Sequence, residues 1–272
     1  MPEGPEIWRA ADEIEKAIAD REIEEIFFAF EELKEFEDRL LGVKVKAVTP
    51  RGKAIVTSFE NRMNLYTHNQ LYGKWIVQNR GELPDTNRSL RVAIHTEEKS
   101  ALLYSASEIE ILKNGEIETH PYIRKLGPDV VHPKTTFEEV LACFKSEKFR
   151  NRKLSTLLLD QEFLSGVGNY LRSEILFCSG VDPEFRPKDC SKEQIQKLAK
   201  YSLDLSKRSY KTGGLTTPDD LVKALKEEGA KRKEYRHYVF RREGKPCYKC
   251  GREIKMLKTS GRKLFYCETE QK

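Results

Sequence analysis

The sequence contains no apolar run approaching the length that crosses a bilayer, and its acidic, amphipathic start has neither the basic flank nor the apolar stretch of a secretion signal. Neither a membrane partner nor export is expected, and the setting that follows is cytoplasmic and nucleoid-associated. Cysteine is sparse. Of six, at positions 143, 178, 190, 247, 250 and 267, only Cys247 and Cys250 are closely spaced, and in an intracellular protein the first three should stay reduced. A large excess of one charge is also missing, because the whole chain carries only +5. That balance hides an asymmetry: residues 229–272 hold 14 Lys/Arg against 5 Asp/Glu. A basic C-terminal module on a mildly acidic body suits a polyanion engaged at one end, whereas charge alone would also describe a solvated tail.

At 272 residues the chain is long enough for two or three domains. Residues 5–19 place Ile7, Ala11, Ile14 and Ile18 on one face at helical spacing, with Pro5 tolerated in the first turn. From about 22 to 118 the texture changes to short alternating or β-branched runs, such as 43–48, 54–57, 74–77 and 90–94, separated by turn residues. An antiparallel sandwich is expected there. Past the Gly127-Pro128 break, helical patterns follow at 136–144 (with Thr136 as cap), 154–160, 170–178 and 192–207, with a further short one at 218–228. A boundary near 130 follows from this change. The last 35 residues read as basic, strand-like and cysteine-containing.

Several motifs carry chemistry. Removal of Met1 would leave Pro2 with a free secondary amine, and an α-amino group titrates near 7.7–8.0, so a useful fraction is neutral near physiological pH. Such an amine can attack a sugar C1′, expel the base and leave an iminium ion that draws electrons from C2′. Glu3 and Glu6 lie within one helical turn to manage the protons, although acidic residues also decorate helix N-termini for dipole reasons. Arg51-Gly52-Lys53 follows a strand; glycine permits a tight turn that aims the lysine outward, toward a phosphate or simply toward solvent. Gln70, Leu71 and Tyr72 form an apolar tip before Gly73 that could fill the hole left by a flipped base, although taken alone such an apolar cluster is more often core. Residues 145–153 hold five basic residues in nine, and the glycine-rich junction at 163–169 precedes a helical run, with Asn169 as its cap. Backbone amides at such a junction make an anion site, and phosphate binding is the implied role. Finally, Cys247-x2-Cys250-x16-Cys267 begins a zinc spacing in which the fourth thiol, expected at 270, is replaced by Glu270. A carboxylate can bind zinc, and a metal-free hairpin held by packing is the alternative. Between the cysteines, residues 259–262 read as a hairpin tip presenting Arg262.

Together these segments resemble the formamidopyrimidine-DNA glycosylase and endonuclease VIII family, over residues 1–214 and again over 238–267. The motifs that carry the likeness are Met-Pro-Glu-Gly-Pro-Glu, Arg-Gly-Lys-Ala, His-Asn-Gln-Leu-Tyr-Gly, Leu-Leu-Leu-Asp-Gln, Gly-Asn-Tyr-Leu-Arg and the terminal cysteines. The resemblance implies an α+β multidomain chain. Its expected parts are an N-terminal catalytic β-sandwich with flanking helices (1–130), a helix-two-turns-helix DNA-binding domain (131–214), a linker or insertion (215–237) and a C-terminal zinc-finger hairpin (238–272), with DNA across the cleft. It implies a base-excision-repair enzyme, bifunctional as DNA glycosylase and abasic-site lyase, acting as a monomer on double-stranded DNA with oxidised bases or abasic sites. Oxidised pyrimidines are the expected lesion, followed by β,δ-elimination; an oxidised-purine enzyme and a catalytically silent damaged-DNA binder are the rivals. By the same resemblance Pro2 is the Schiff-base nucleophile, Glu3 a general acid, Lys53 a proton donor in β-elimination and Arg262 the finger arginine of δ-elimination. Glu6 and Glu174 are supporting carboxylates, Gln70, Leu71, Tyr72, Lys125 and Asn169 contact DNA, and Cys247, Cys250, Cys267 and Glu270 hold a structural zinc. The sequence departs from the family pattern at Glu270, at Lys125, where arginine is common, and across 215–237.

Overall fold

The first helix forms where the apolar spacing demands it. In the computed structural model, which describes residues 2–272, α1 runs Gly4–Ile18 and buries Ile7, Ala11, Ile14 and Ile18 on one face. Each large side chain so buried is worth about 1.5–3 kcal/mol relative to exposure, so one polar substitution at Ile14 would loosen the helix. Met1, whose removal the amine chemistry requires, lies outside the described residues. The chain divides into two units, one of residues 6–125 with Pro2, the other of residues 126–272 with residues 3–5.

The first unit is a pair of four-stranded antiparallel sheets, as the alternating runs predict. One has the order β2-β3-β4-β8, from β2 (Val45–Arg51), β3 (Ala54–Phe59), β4 (Met63–His68) and β8 (Glu108–Lys113). The other has the order β1-β6-β7-β5, from β1 (Glu25–Phe28), β6 (Leu90–His95), β7 (Lys99–Tyr104) and β5 (Lys74–Asn79). Ile55 and Phe59 of β3 enter a cluster shared with α1 and with Val92, Ile94, Ala101 and Leu103 of the second sheet. Ala54 and Val56 point the other way, into a smaller cluster with Tyr66, Leu112 and Ile123. Because a strand alternates its faces, this split explains why β3 reads as a nearly continuous apolar run: both faces are covered. A short α2 (Glu35–Leu40) and 3-10 turns at Glu31–Leu33 and Ile123–Lys125 complete the unit.

The second unit holds the helices. Its α3 (Phe137–Lys145) opens with a reciprocal cap in which the Thr136 hydroxyl accepts from Glu139 N–H and the Glu139 carboxylate accepts from Thr136 N–H, as Thr136 predicts. The short α4 (Leu154–Leu157) stops well before residue 160, and α6 (Lys192–Lys211) runs four residues beyond the pattern read from sequence. Residues 215–237 contain α7 (Asp219–Glu227) and α8 (Arg232–Tyr235). In α5 (Asn169–Ser179) almost every side chain is buried, Arg172 and Glu174 included, because the helix packs against both α6 and the terminal hairpin. That hairpin, β9 (Lys255–Thr259) and β10 (Arg262–Tyr266), turns at Ser260 and Gly261, both with φ positive at 49° and 71°. Those angles suit the right-handed twist of a two-residue turn. Phe265, Ile254 and Val239 close its core on Phe177 of α5.

Candidate active site

The glycine-rich junction before α5 does bind an anion, but the anion belongs to the chain. Glu3, 3 % exposed, accepts the backbone N–H of Tyr170 (2.7 Å) and of Leu171 (3.2 Å) on its two carboxylate oxygens. These are among the first, otherwise unpaired, amides of the helix, where the dipole also favours negative charge. The N-cap is Gly168, not Asn169, since Glu3 takes the amides a cap side chain would hold, and residue 168 must be glycine because a Cβ there would lie 2.3 Å from Cδ of Glu3. Gly4 N–H donates to the Gly166 carbonyl at 2.7 Å, which pins the chain immediately after Glu3. Pro2, half-buried, is thereby adjacent in sequence to a firmly held carboxylate.

In the first unit Lys53 and Gln70 gather around His68. Lys53 is buried rather than aimed outward; Gly52, at φ 61°, makes the turn, and the Lys53 N–H donates to the Tyr122 hydroxyl at 3.0 Å. Burial lowers the pKa of His68, the charge of Lys53 lowers it further, and Glu108 works in the opposite direction. Gln70 has φ 45°, donates its N–H to His68 Nδ1 (3.1 Å) and its Nε2 to Glu108 (2.7 Å), and accepts from Ser107 (3.0 Å). With its base clamped in this way, the loop presents Leu71 and Tyr72 outward, 57 % and 67 % exposed. They are two of four exposed large hydrophobics among the described residues, so the core reading of this tip does not hold. Gly73 closes the loop, and a Cβ there would meet the Asn69 backbone at 2.6 Å. Lys125 is exposed at the end of its 3-10 turn. Glu6 pairs with Arg9 at 3.2 Å.

The remaining second-unit residues meet on α5. Asn169 donates Nδ2 to the Lys263 carbonyl of β10 (2.9 Å) and accepts from Arg172 (2.6 Å). Arg172, fully buried, also donates to the carbonyls of Ser155 (2.6 Å) and Lys263 (3.3 Å). Burial brings its pKa down to about 10, the charge of Arg262 pushes the same way, and Glu3 opposes. Arg262 itself is exposed at the hairpin tip. Glu174 is committed elsewhere: its carboxylate accepts Thr216 Oγ1 (2.6 Å) and the N–H groups of Tyr238 (2.7 Å), Val239 (2.9 Å) and Phe240 (3.0 Å). Burial pushes its pKa up while these four donors, which favour the ionised form, pull it back. With the Thr216 proton given to Glu174, His237 Nδ1, 3.0 Å from the same hydroxyl, must be the donor there. The His237 ring stacks on Tyr170 at 5.0 Å. A string of contacts thus runs from Glu3 through Tyr170, His237 and Thr216 to Glu174. The basic stretch at 145–153 is less positive than its sequence suggests, since Lys148, Arg150, Arg152 and Lys153 pair with Glu162, Glu147, Asp160 and Glu184. Arg172, Thr216 and His237 escaped the sequence reading, although an arginine and a glutamate inside an otherwise apolar helix were a signal for the first.

Cys247, Cys250 and Cys267 form a group that could hold a metal ion, with their sulfurs all within 4.8 Å of one another. Cys250 and Cys267 are 3.5 Å apart. Glu270 is not part of the group; it offers Cys267 its backbone N–H instead.

Sandwich, helical unit and thiol-bearing hairpin together define the fold of a DNA glycosylase of the formamidopyrimidine type. The Fpg protein of Lactococcus lactis, solved with DNA containing N7-benzyl-Fapy-dG, has the same fold over the full length of both chains, with TM-score 0.82 at 19 % identity. Residues 1–107 match the formamidopyrimidine-DNA glycosylase N-terminal domain, and residues 126–220 match its H2TH domain. Proteins named Endonuclease 8 from Salmonella arizonae and from an Enterobacter species are 45 % and 46 % identical over all 272 residues, spanning the whole of both chains. The chain belongs to the formamidopyrimidine-DNA glycosylase and endonuclease VIII family of DNA-repair glycosylases and abasic-site lyases. No helix of the described residues is long and apolar enough to cross a membrane.

Proposed function

We propose that this chain removes oxidised pyrimidines from duplex DNA through a Schiff base on Pro2 and then cuts the strand by β,δ-elimination. The observation that carries the reading is the clamped Glu3 carboxylate, held by two α5 amides directly after the residue whose amine would react. In this scheme the neutral Pro2 amine attacks C1′, the C1′–base bond breaks, and the base leaves with the electron pair and takes up a proton. Loss of the amine proton frees the nitrogen lone pair to expel the ring oxygen: the C1′–O4′ bond breaks, O4′ takes its proton from Glu3, and an iminium remains. Loss of a C2′ proton sends electrons to the iminium nitrogen and gives an enamine; their return breaks the 3′ C–O bond and restores a conjugated iminium, with Lys53 as proton donor in this β-elimination, and a second elimination, assisted by Arg262, removes a C4′ proton and breaks the 5′ C–O bond. Leu71 and Tyr72 fill the space of the flipped nucleotide, anchored through Gln70, while Asn169 and Lys125 contact the backbone.

The three-thiol group fits zinc. Bonds of about 2.3 Å to a tetrahedral ion separate sulfurs by roughly 3.8 Å, close to the 3.5 Å between Cys250 and Cys267. Bound there, zinc would brace the hairpin that carries Arg262.

Borohydride trapping on an abasic duplex tests the amine. The chain lacking Met1 should form a stable adduct, and a form that retains Met1 should form none; equal trapping by both would refute Pro2. Thymine-glycol duplexes should be cut faster than 8-oxoguanine duplexes, and the reverse order would transfer the chain to purine lesions.

A further inference from the structure

We infer that the metal of the C-terminal hairpin is held by Cys247, Cys250 and Cys267 alone, and that its fourth coordination position is open to small added donors. The inference rests on the metal reading above. The donor count is the first argument: among the described residues the three sulfurs form a group that no other cysteine, histidine or carboxylate joins.

The turn that carries Glu270 is the second. Cys267 O accepts the N–H groups of Glu270 (3.2 Å) and Gln271 (3.0 Å). The buried Gln271 side chain accepts the Cys267 N–H (2.9 Å) and donates to the Val181 carbonyl (3.0 Å), and Lys272 N–H reaches Gly180 O (3.2 Å). With the turn tied on both sides, the backbone of residue 270 is held at the position that follows Cys267 by the knuckle spacing. Side-chain length is the third. At the two-residue spacing that Cys247 and Cys250 share, the sulfur sits one bond beyond Cβ, whereas a carboxylate oxygen sits three bonds beyond it and overshoots. Glu270 therefore stands in the place of a short ligand without supplying one. Cys250, only partly buried, brings the cluster to solvent. A structural zinc site is ordinarily closed by four protein ligands, and three with a free position is the arrangement that exchanges ligands.

The test uses the full chain, freed of zinc and titrated with Co2+, whose visible absorption reports the donor set. Wild type and Glu270→Ala should bind one Co2+ with the same spectrum, and an added monothiol should shift both toward a four-thiolate spectrum. Glu270→Cys should show that spectrum without added thiol, and should lose metal to a chelator more slowly than wild type by roughly tenfold or more. A wild-type spectrum that added thiol does not move, or one that Glu270→Ala alters, overturns the open position while leaving the metal reading intact. Failure of wild type to bind Co2+ or Zn2+ overturns both.

Discussion

Replacing Glu174 by glutamine should weaken the fold of the second unit and spare the chemistry. Glutamine keeps the shape of the side chain but exchanges one acceptor oxygen for an NH2 donor. If its remaining oxygen faces Val239 and Phe240, the Tyr238 N–H confronts another donor; the Thr216 hydroxyl can rotate to accept, whereas a backbone N–H cannot. One buried orphan N–H costs about 1–3 kcal/mol, and loss of charge on the two retained bonds removes about 1 kcal/mol each. Relief of burying a charge offsets part of this, so a net loss of roughly 2–4 kcal/mol is expected, and for a unit of this size that corresponds to about 5–15 °C in Tm. Thermal denaturation followed by circular dichroism would read it, alongside borohydride trapping at a temperature below both transitions and at saturating abasic DNA. The trapped fraction should remain near that of wild type. An unchanged Tm with trapping abolished would refute the reasoning, because Glu174 would then be acting on the sugar rather than holding residues 216 and 238–240.

Other expectations follow from the same geometry. Burial, reinforced by Arg236, Arg241 and Arg232, holds the His237 pKa down to about 3. The unfolded chain protonates it near 6.5, so stability is full above that pH and should fall by about 2 kcal/mol between pH 6.5 and 5; His237→Gln should flatten this part of a denaturant-midpoint profile, and an unaltered slope would exclude His237 as its source. Leu71→Ala and Tyr72→Ala, at exposed positions, should change stability by less than about 0.5 kcal/mol, yet weaken binding to damaged duplex in a gel-shift or anisotropy titration. Gly168→Ala would drive a methyl into the Glu3 carboxylate and should slow base excision by roughly 100-fold or more, measured on a lesion-containing duplex; wild-type rates would show that Glu3 need not sit on α5.

Much of the local structure was legible along the chain. The spacing of Ile7, Ala11, Ile14 and Ile18 announced α1, Thr136 announced the start of α3, and residues 259–262 announced the hairpin tip. These signals are readable because periodicity, capping and turn chemistry act between residues a few positions apart. The ordered motifs from Pro2 to Cys267 likewise carried the family. Packing decided the partners. That Lys53 is buried beside Tyr122, that Glu3 caps a helix 167 residues away, and that Glu174 gathers residues 216 and 238–240 depends on distances closed only when helices and sheets assemble. The same holds where expectation failed: Asn169 gave up the cap because Glu3 already occupied the amides, and Glu270 stayed out of the thiol cluster because its turn is tied at a position that suits a shorter ligand. A sequence states which charges and donors exist, and the folded chain determines which of them are already satisfied.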